Sequence, residues 1–128
     1  MLNKSFLALA AMIAVMSPSV QADVLAAGSA YGGPSQTQAV CYIYNAGTGP
    51  VSITSRNIFR EPNINLPLAY VGCGGALAAG SSCGIAANIA NNVAHSCRFV
   101  VSPSGADVRG TFELRDVAAR VLQNSDMR

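Results

Sequence analysis

The sequence predicts an all-β fold, a single sandwich of about seven short strands. Three observations carry this reading. Apolar and polar residues alternate with a period of two over most of the chain, and Gly, Pro and Asn clusters break the runs at short intervals. In addition, two of the four cysteines fall inside alternating runs while the other two flank a glycine-rich loop. Only one stretch near the C-terminus also fits a helix.

Residues 1–22 have the layout of a secretory signal. Lys4 precedes an apolar run over residues 6–16, Ser17-Pro18-Ser19 breaks it, and Val20-Gln21-Ala22 offers small residues at the cleavage positions. The run is shorter than the ~20 residues that cross a bilayer, so cleavage after Ala22 is expected to leave one domain, residues 23–128, without a transmembrane span. That part carries seven arginines, no lysine and six acidic residues. The arginines are scattered among the acids, so no polyanion-binding stripe forms and nucleic acid is not an expected partner.

In chain order, residues 24–31 read as an edge strand ended by Gly32-Gly33-Pro34. Residues 39–44 are β-branched and aromatic and form a strand, with Ala39, Cys41 and Ile43 on one face and Val40, Tyr42 and Tyr44 on the other. The next strand runs over 51–60, through a bulge, and stops at Glu61-Pro62. Pro67 limits residues 64–68 to an edge segment. After the glycine-rich loop, residues 83–89, 93–102 and 108–114 alternate again, separated by Asn91-Asn92 and Pro103-Ser104-Gly105. Residues 116–122 fit either a last strand after a tight turn or a helix capped by Asp116, and the strand is preferred.

Four cysteines in an exported chain read as two disulfides. Loop entropy gives about 4 kcal/mol for joining Cys41 to Cys97 and about 3 kcal/mol for Cys73 to Cys83. The other two pairings total within about 1 kcal/mol of this, so entropy does not choose. The facing of the strands does. Cys41 and Cys97 lie among apolar residues of their own parity and point inward, while Cys73 and Cys83 close their loop.

The segment Cys73…Leu77-Ala-Ala-Gly80-Ser-Ser-Cys83-Gly-Ile85 resembles a motif of hydin and major-sperm-protein-type immunoglobulin-like modules of exported bacterial proteins. Asn88-Ile89-Ala90-Asn91 stands where that family carries Phe-x-Pro. The resemblance implies an immunoglobulin-like sandwich used for binding or packing, without catalysis. The run Phe112-Glu-Leu-Arg-Asp116 is also similar to a strand of small secreted bacterial proteins, which implies no activity.

Two motifs invite chemistry. Gly80-Ser-Ser82-Cys-Gly84 matches a nucleophile elbow with His95 downstream, but β alternation follows where that elbow needs a helix on a parallel sheet. His95-Ser96-Cys97 offers zinc ligands, but no closely spaced cysteine pair completes a site, and Cys-x-x-Cys redox chemistry is missing for the same reason. No catalytic residue, metal or cofactor is therefore expected. Tyr42 and Tyr44, two positions apart on one strand, form an amphipathic patch of the kind that anchors partners. Tyr70, in the apolar loop of residues 66–71, is the second candidate; that loop either covers an end of the core or recognises a partner. Arg109, Thr111, Glu113 and Arg115 read as a solubilising edge. The expected function is a non-enzymatic binding module, secreted or periplasmic, whose partner is another envelope or surface protein. The alternative is a structural subunit of a pilus-like assembly.

Overall fold

Alternation sorts the side chains of this chain onto two faces, and two sheets result. The computed structural model describes residues 21–90 and 92–128; residues 1–20, with the apolar run of the expected signal, lie outside the described residues. The strands are β1 (Asp23–Ala26), β2 (Gln38–Asn45), β3 (Val51–Arg60), β4 (Ile64–Asn65), β5 (Tyr70–Val71), β6 (Ala76–Leu77), β7 (Ser82–Asn88), β8 (His95–Ser102), β9 (Val108–Arg115) and β10 (Val121–Met127). Seven of them lie on the expected strands, although β1 ends at Ala26 rather than at residue 31; β4 falls in the expected edge segment, and β5 and β6 add two-residue pieces. The first sheet has the order β1-β8-β3-β4, with β6 on β3; the second is β10-β9-β2-β7-β5. All pairings are antiparallel.

Between the sheets lie Phe99, Phe112, Ile43, Ile58 and Ile85, each fully buried, and each contributes about 1.5–3 kcal/mol through burial. Cys41 of β2 and Cys97 of β8 join the two sheets, with Cα atoms 6.3 Å apart. In register, Cys41 stands between Ile85 and Phe112, and Cys97 beside Ile58. The second bridge, Cys73–Cys83, spans 10 residues and has a Cα separation of 5.0 Å. Both disulfides are the expected ones. The pairs β2–β7 and β3–β8, with a bridge from β2 to β8, reproduce the centre of an immunoglobulin sandwich. The margins differ, because the first strand lies beside β8, where that fold places its last.

The expected bulge in β3 is at Thr54, where the register to β8 shifts between Ile53 and Ser55. Tight turns rest on buried polar side chains. Asn45 Nδ2 donates to the carbonyls of Gly49 (2.9 Å) and Leu77 (3.1 Å), and its Oδ1 accepts from Gly47 N. Asp116 opens a turn rather than a helix. Its carboxylate accepts from the N–H groups of Ala118 (2.9 Å) and Arg120 (3.0 Å) and from Arg120 Nε (2.7 Å). Asp116 N then donates to Arg120 O at 3.0 Å, with Ala119 at φ 61°. The preferred last strand is present but starts later, at Val121, and runs to Met127. Hydrogen bonds from the backbone and side chain of Arg120 hold the Asp116 carboxyl below its ordinary range.

Two further contacts close the sandwich at its opposite edges. Ala26 N donates to Arg128 O at 3.0 Å and Arg128 N to Ala26 O at 3.2 Å, so the edge strands of different sheets meet. At the opposite edge, between β4 and β5, Leu66 and Leu68 pack against the core, which makes the 66–71 loop a cover there.

Replacing Cys41 and Cys97 together by Ala is expected to lower the free energy of unfolding by about 2–5 kcal/mol. Urea unfolding of the oxidised protein measures this, and an unchanged midpoint would place the bridge outside the core.

Candidate functional site

The outer face of the second sheet gathers all three candidate tyrosines. On β2, every second side chain points away from the core. Tyr42 stands between Gly84 of β7 and Thr111 of β9, and Tyr44 between Ser82 and Arg109. Val40, next along the same face, stands between Ala86 and Glu113, and Tyr70 of β5 lies opposite Ala86. The three tyrosines are 39%, 45% and 60% exposed for Tyr42, Tyr44 and Tyr70, whereas Val40 and Ala86 beside them are buried. The long side chains therefore cover the small ones and present their own surfaces to solvent.

Glycine sets where two of these rings lie. A Cβ built at Gly84 would come within 2.8 Å of Tyr42 Cδ1, and one at Gly72 within 2.9 Å of Tyr70 Cε1. Each ring occupies space that any other residue would claim. Gly72 N donates to Gly84 O at 2.8 Å, so the two glycines are neighbours across β5 and β7. The 66–71 loop covers the core with its leucines, the first of the two roles expected for it, and its end carries Tyr70 and Val71 outward as an exposed edge strand.

Charge is distributed unevenly on this face. Arg115 Nε donates to Glu113 Oε2 at 2.9 Å, and Arg115 Nη2 donates to Tyr42 Oη at 3.2 Å, with the guanidinium 5.8 Å from the Tyr42 ring centroid. The hydrogen bond to Glu113 raises the Arg115 guanidinium above its ordinary value. Arg109 Nη1 donates to the carbonyls of Ala106 (2.7 Å) and Val108 (3.1 Å). No carboxylate pairs with Arg109 among the described residues, where the ion pairs are Arg115–Glu113 and Arg120–Asp116. Tyr42, Tyr44, Ser82, Arg109 and Thr111 border a shallow depression of about 270 Å³. The row from Arg109 to Arg115 is not the edge the sequence led us to expect: β9 lies between β2 and β10 and pairs with both. Its alternation looks like an edge because its outward side is solvated.

A larger cleft of about 720 Å³ lies at the seam of β1, β9 and β10 and includes Asp23, Arg109, Asp126 and Arg128. Asp23 is committed there, accepting from Gly105 N at 2.7 Å and from Ser104 Oγ at 3.2 Å.

The structure separates the residues of the two chemical motifs. Ser82 begins β7 on the exposed outer side of the second sheet, whereas His95 is 1% exposed at the start of β8 in the first. Both cysteine pairs are bridged, so Cys97 has no thiolate to offer a metal. Among the described residues, no group of three or more His, Cys, Asp or Glu is placed to hold a metal ion, and no helix is long and apolar enough to cross a membrane. His95 belongs to a structural network instead. Gln36 Nε2 donates to Val93 O at 2.7 Å and lies 3.5 Å from His95 Nδ1, while Gly32 N donates to Gln36 Oε1 at 2.8 Å. The backbone of His95 exchanges two hydrogen bonds of 2.8 Å with Ala30. Burial, opposed by a hydrogen bond to the Val93 backbone and aided by the charge of Arg60, lowers the His95 pKa.

Comparisons with protein-family models, curated proteins and solved structures find no match.

Two outcomes follow from this geometry. Gly84→Ala is expected to push the Tyr42 ring off β7, changing tyrosine fluorescence and near-ultraviolet dichroism at little cost to the core; unchanged spectra would mean that Gly84 does not seat the ring. The second concerns acid. His95 is the single histidine of the chain, and with its folded pKa depressed the unfolded chain takes up the proton first. The stability it contributes is complete above about pH 6.5 and is lost as pH falls from there through the folded value. Urea midpoints should therefore fall between pH 7.5 and 5.5, and fall less in His95→Gln; equal slopes would remove His95 as the cause.

Proposed function

We propose that the chain is an exported, non-enzymatic binding module of the bacterial envelope or surface, and that Tyr42, Tyr44 and Tyr70 are its recognition face. One observation carries this reading: residues from two distant stretches of sequence converge as three exposed tyrosines on one sheet face. Tyrosine offers a large contact with few rotatable bonds, so little entropy is lost when it is covered by a partner. Seating two of the rings on glycines reduces that loss further. Export is supported by the signal-like residues 1–22 and by two disulfides, which persist in oxidising compartments. The pilus-like alternative has less support, since β1 and β10, the strands available for exchange, pair within the chain and with each other.

Sedimentation of the labelled mature protein with envelope fragments tests the reading. A variant carrying Tyr42→Ser, Tyr44→Ser and Tyr70→Ser should bind at least about tenfold more weakly, the equivalent of about 1.4 kcal/mol, with its unfolding midpoint little changed. Equal retention of both proteins would overturn it.

A further inference from the structure

The kind of ligand can be argued from the side chains around the depression beside Tyr42 and Tyr44. Arg115 and Arg120 have carboxylate partners, and Arg109 has none among the described residues. The carbonyls of Ala106 and Val108 fix Arg109 Nη1, which holds the guanidinium in place and leaves Nε and Nη2 without a protein acceptor among those residues. This is a preorganised fork for one carboxylate. Arg109 borders the depression together with Tyr42, Tyr44, Ser82 and Thr111. Tyr70 lies two strands from Tyr42 across β7 and two residues along, about 12 Å away at the usual strand spacings.

We infer that this face binds an acidic polysaccharide in which a carboxylate-bearing sugar is flanked by neutral ones. This rests on the tyrosine face being the recognition surface. The carboxylate takes Arg109, the C–H face of a sugar ring lies against Tyr42 and Tyr44, and its hydroxyls meet Ser82 and Thr111. A following ring reaches Tyr70. The depression, at about 270 Å³, lies just below the ~300 Å³ lower end of small-molecule pockets, which suits one ring of a longer chain.

Charge and backbone chemistry separate this ligand from other polymers. A nucleic acid brings a phosphate at every step and needs several cations, whereas this face has one unpaired guanidinium with Glu113 two strand positions from Thr111. A peptide added as a strand needs free backbone donors and acceptors. Those of β2 and β9 are used in the ladders on both sides, so beside the depression the face offers side chains alone. A saccharide carries its own hydroxyls and needs only that.

Titration calorimetry with a hexasaccharide of alternating glucuronate and N-acetylglucosamine tests the inference, with neutral dextran, poly-L-glutamate and a single-stranded oligonucleotide as comparisons. The hexasaccharide should bind at least tenfold more tightly than any of these. Arg109→Gln and Tyr42→Ser should each weaken it at least tenfold, and Arg109→Lys should fall between, with unfolding midpoints showing that all three variants fold. Equal binding of dextran, or of the Arg109→Gln variant, would overturn the role of the carboxylate. Equal or tighter binding of poly-glutamate or the oligonucleotide would overturn the saccharide. If no polymer binds while envelope retention still depends on the tyrosines, the ligand class is wrong and the recognition face stands; if that dependence is absent too, both fall.

Discussion

The Cys41–Cys97 bridge is the constraint on which the rest of the molecule depends. It is the covalent link between sheets that also meet through apolar packing, a pair of backbone hydrogen bonds at Ala26 and Arg128, and the Asn45 side chain on Leu77 O. Fixing Cys41 inward fixes the parity of β2, since a shift of one residue would turn every side chain of the strand over. Ile43 and Ala39 must then face the core, and Tyr42 and Tyr44 must face out. The same holds on β8, where Cys97 carries Phe99 and Val101 inward with it. The exposed tyrosines are thus a consequence of the core, and no separate device is needed to keep them outside.

The second bridge acts on the same face from another direction. Cys73 follows closely on Tyr70 and Val71, and its link to Cys83 holds that short edge strand against β7. Two-residue strands have little ladder of their own, so the covalent tie supplies what the hydrogen bonds at Ala69 and Gly72 do not. Tyr70 then sits at a fixed distance from Tyr42. The glycine-rich sequence around the bridge makes sense on the same terms. Gly72 and Gly84 leave room for rings, and Gly80, at φ 74°, turns the chain into β7 with its N–H donating to Asn45 O.

Much of this was legible because period-two alternation encodes both strand and facing. The strands β2, β3, β7, β8 and β9, the β3 bulge, the Cys41–Cys97 bridge and the outward parity of Tyr42 and Tyr44 follow from it, while the Cys73–Cys83 bridge follows from the loop it closes. Tertiary neighbours were not legible. That Tyr70 joins Tyr42 depends on the chain crossing from β4 in one sheet to β5 in the other, and alternation carries no information about which sheet a strand enters. β9 was mistaken for an edge for the same reason, because a polar outward row looks alike at the margin and in the middle of a solvated sheet. Asp116 was ambiguous on chemical grounds. A carboxylate accepting nearby N–H groups starts a helix or tightens a hairpin turn, and the return pairing of β10 on β9 decides between them. Gln36 carried no signal, since beyond its local bond from Gly32 N it acts through His95 and Val93, more than fifty residues away.

How the polar groups are used bears on function. Asn45 and Asp116 are spent on turns, Gln36 and His95 on tying the loop of residues 27–37 to β8, and Asp23 on the β8–β9 turn. Ser125 Oγ is the buried side-chain oxygen without a partner among the described residues, and it lies on β10 away from the tyrosines. A buried polar group bound into such a network is costly to move, so these residues are poor candidates for chemistry that requires proton transfer or rearrangement. The outer face of the second sheet keeps several groups out of such networks among the described residues: the hydroxyls of Tyr44, Tyr70, Ser82 and Thr111, and Nε and Nη2 of Arg109. Such groups suit the recognition by contact and charge proposed above, and they sit on a sheet tied by both bridges. That division of labour, with inward chemistry serving the fold and outward chemistry left free, is what a binding module requires.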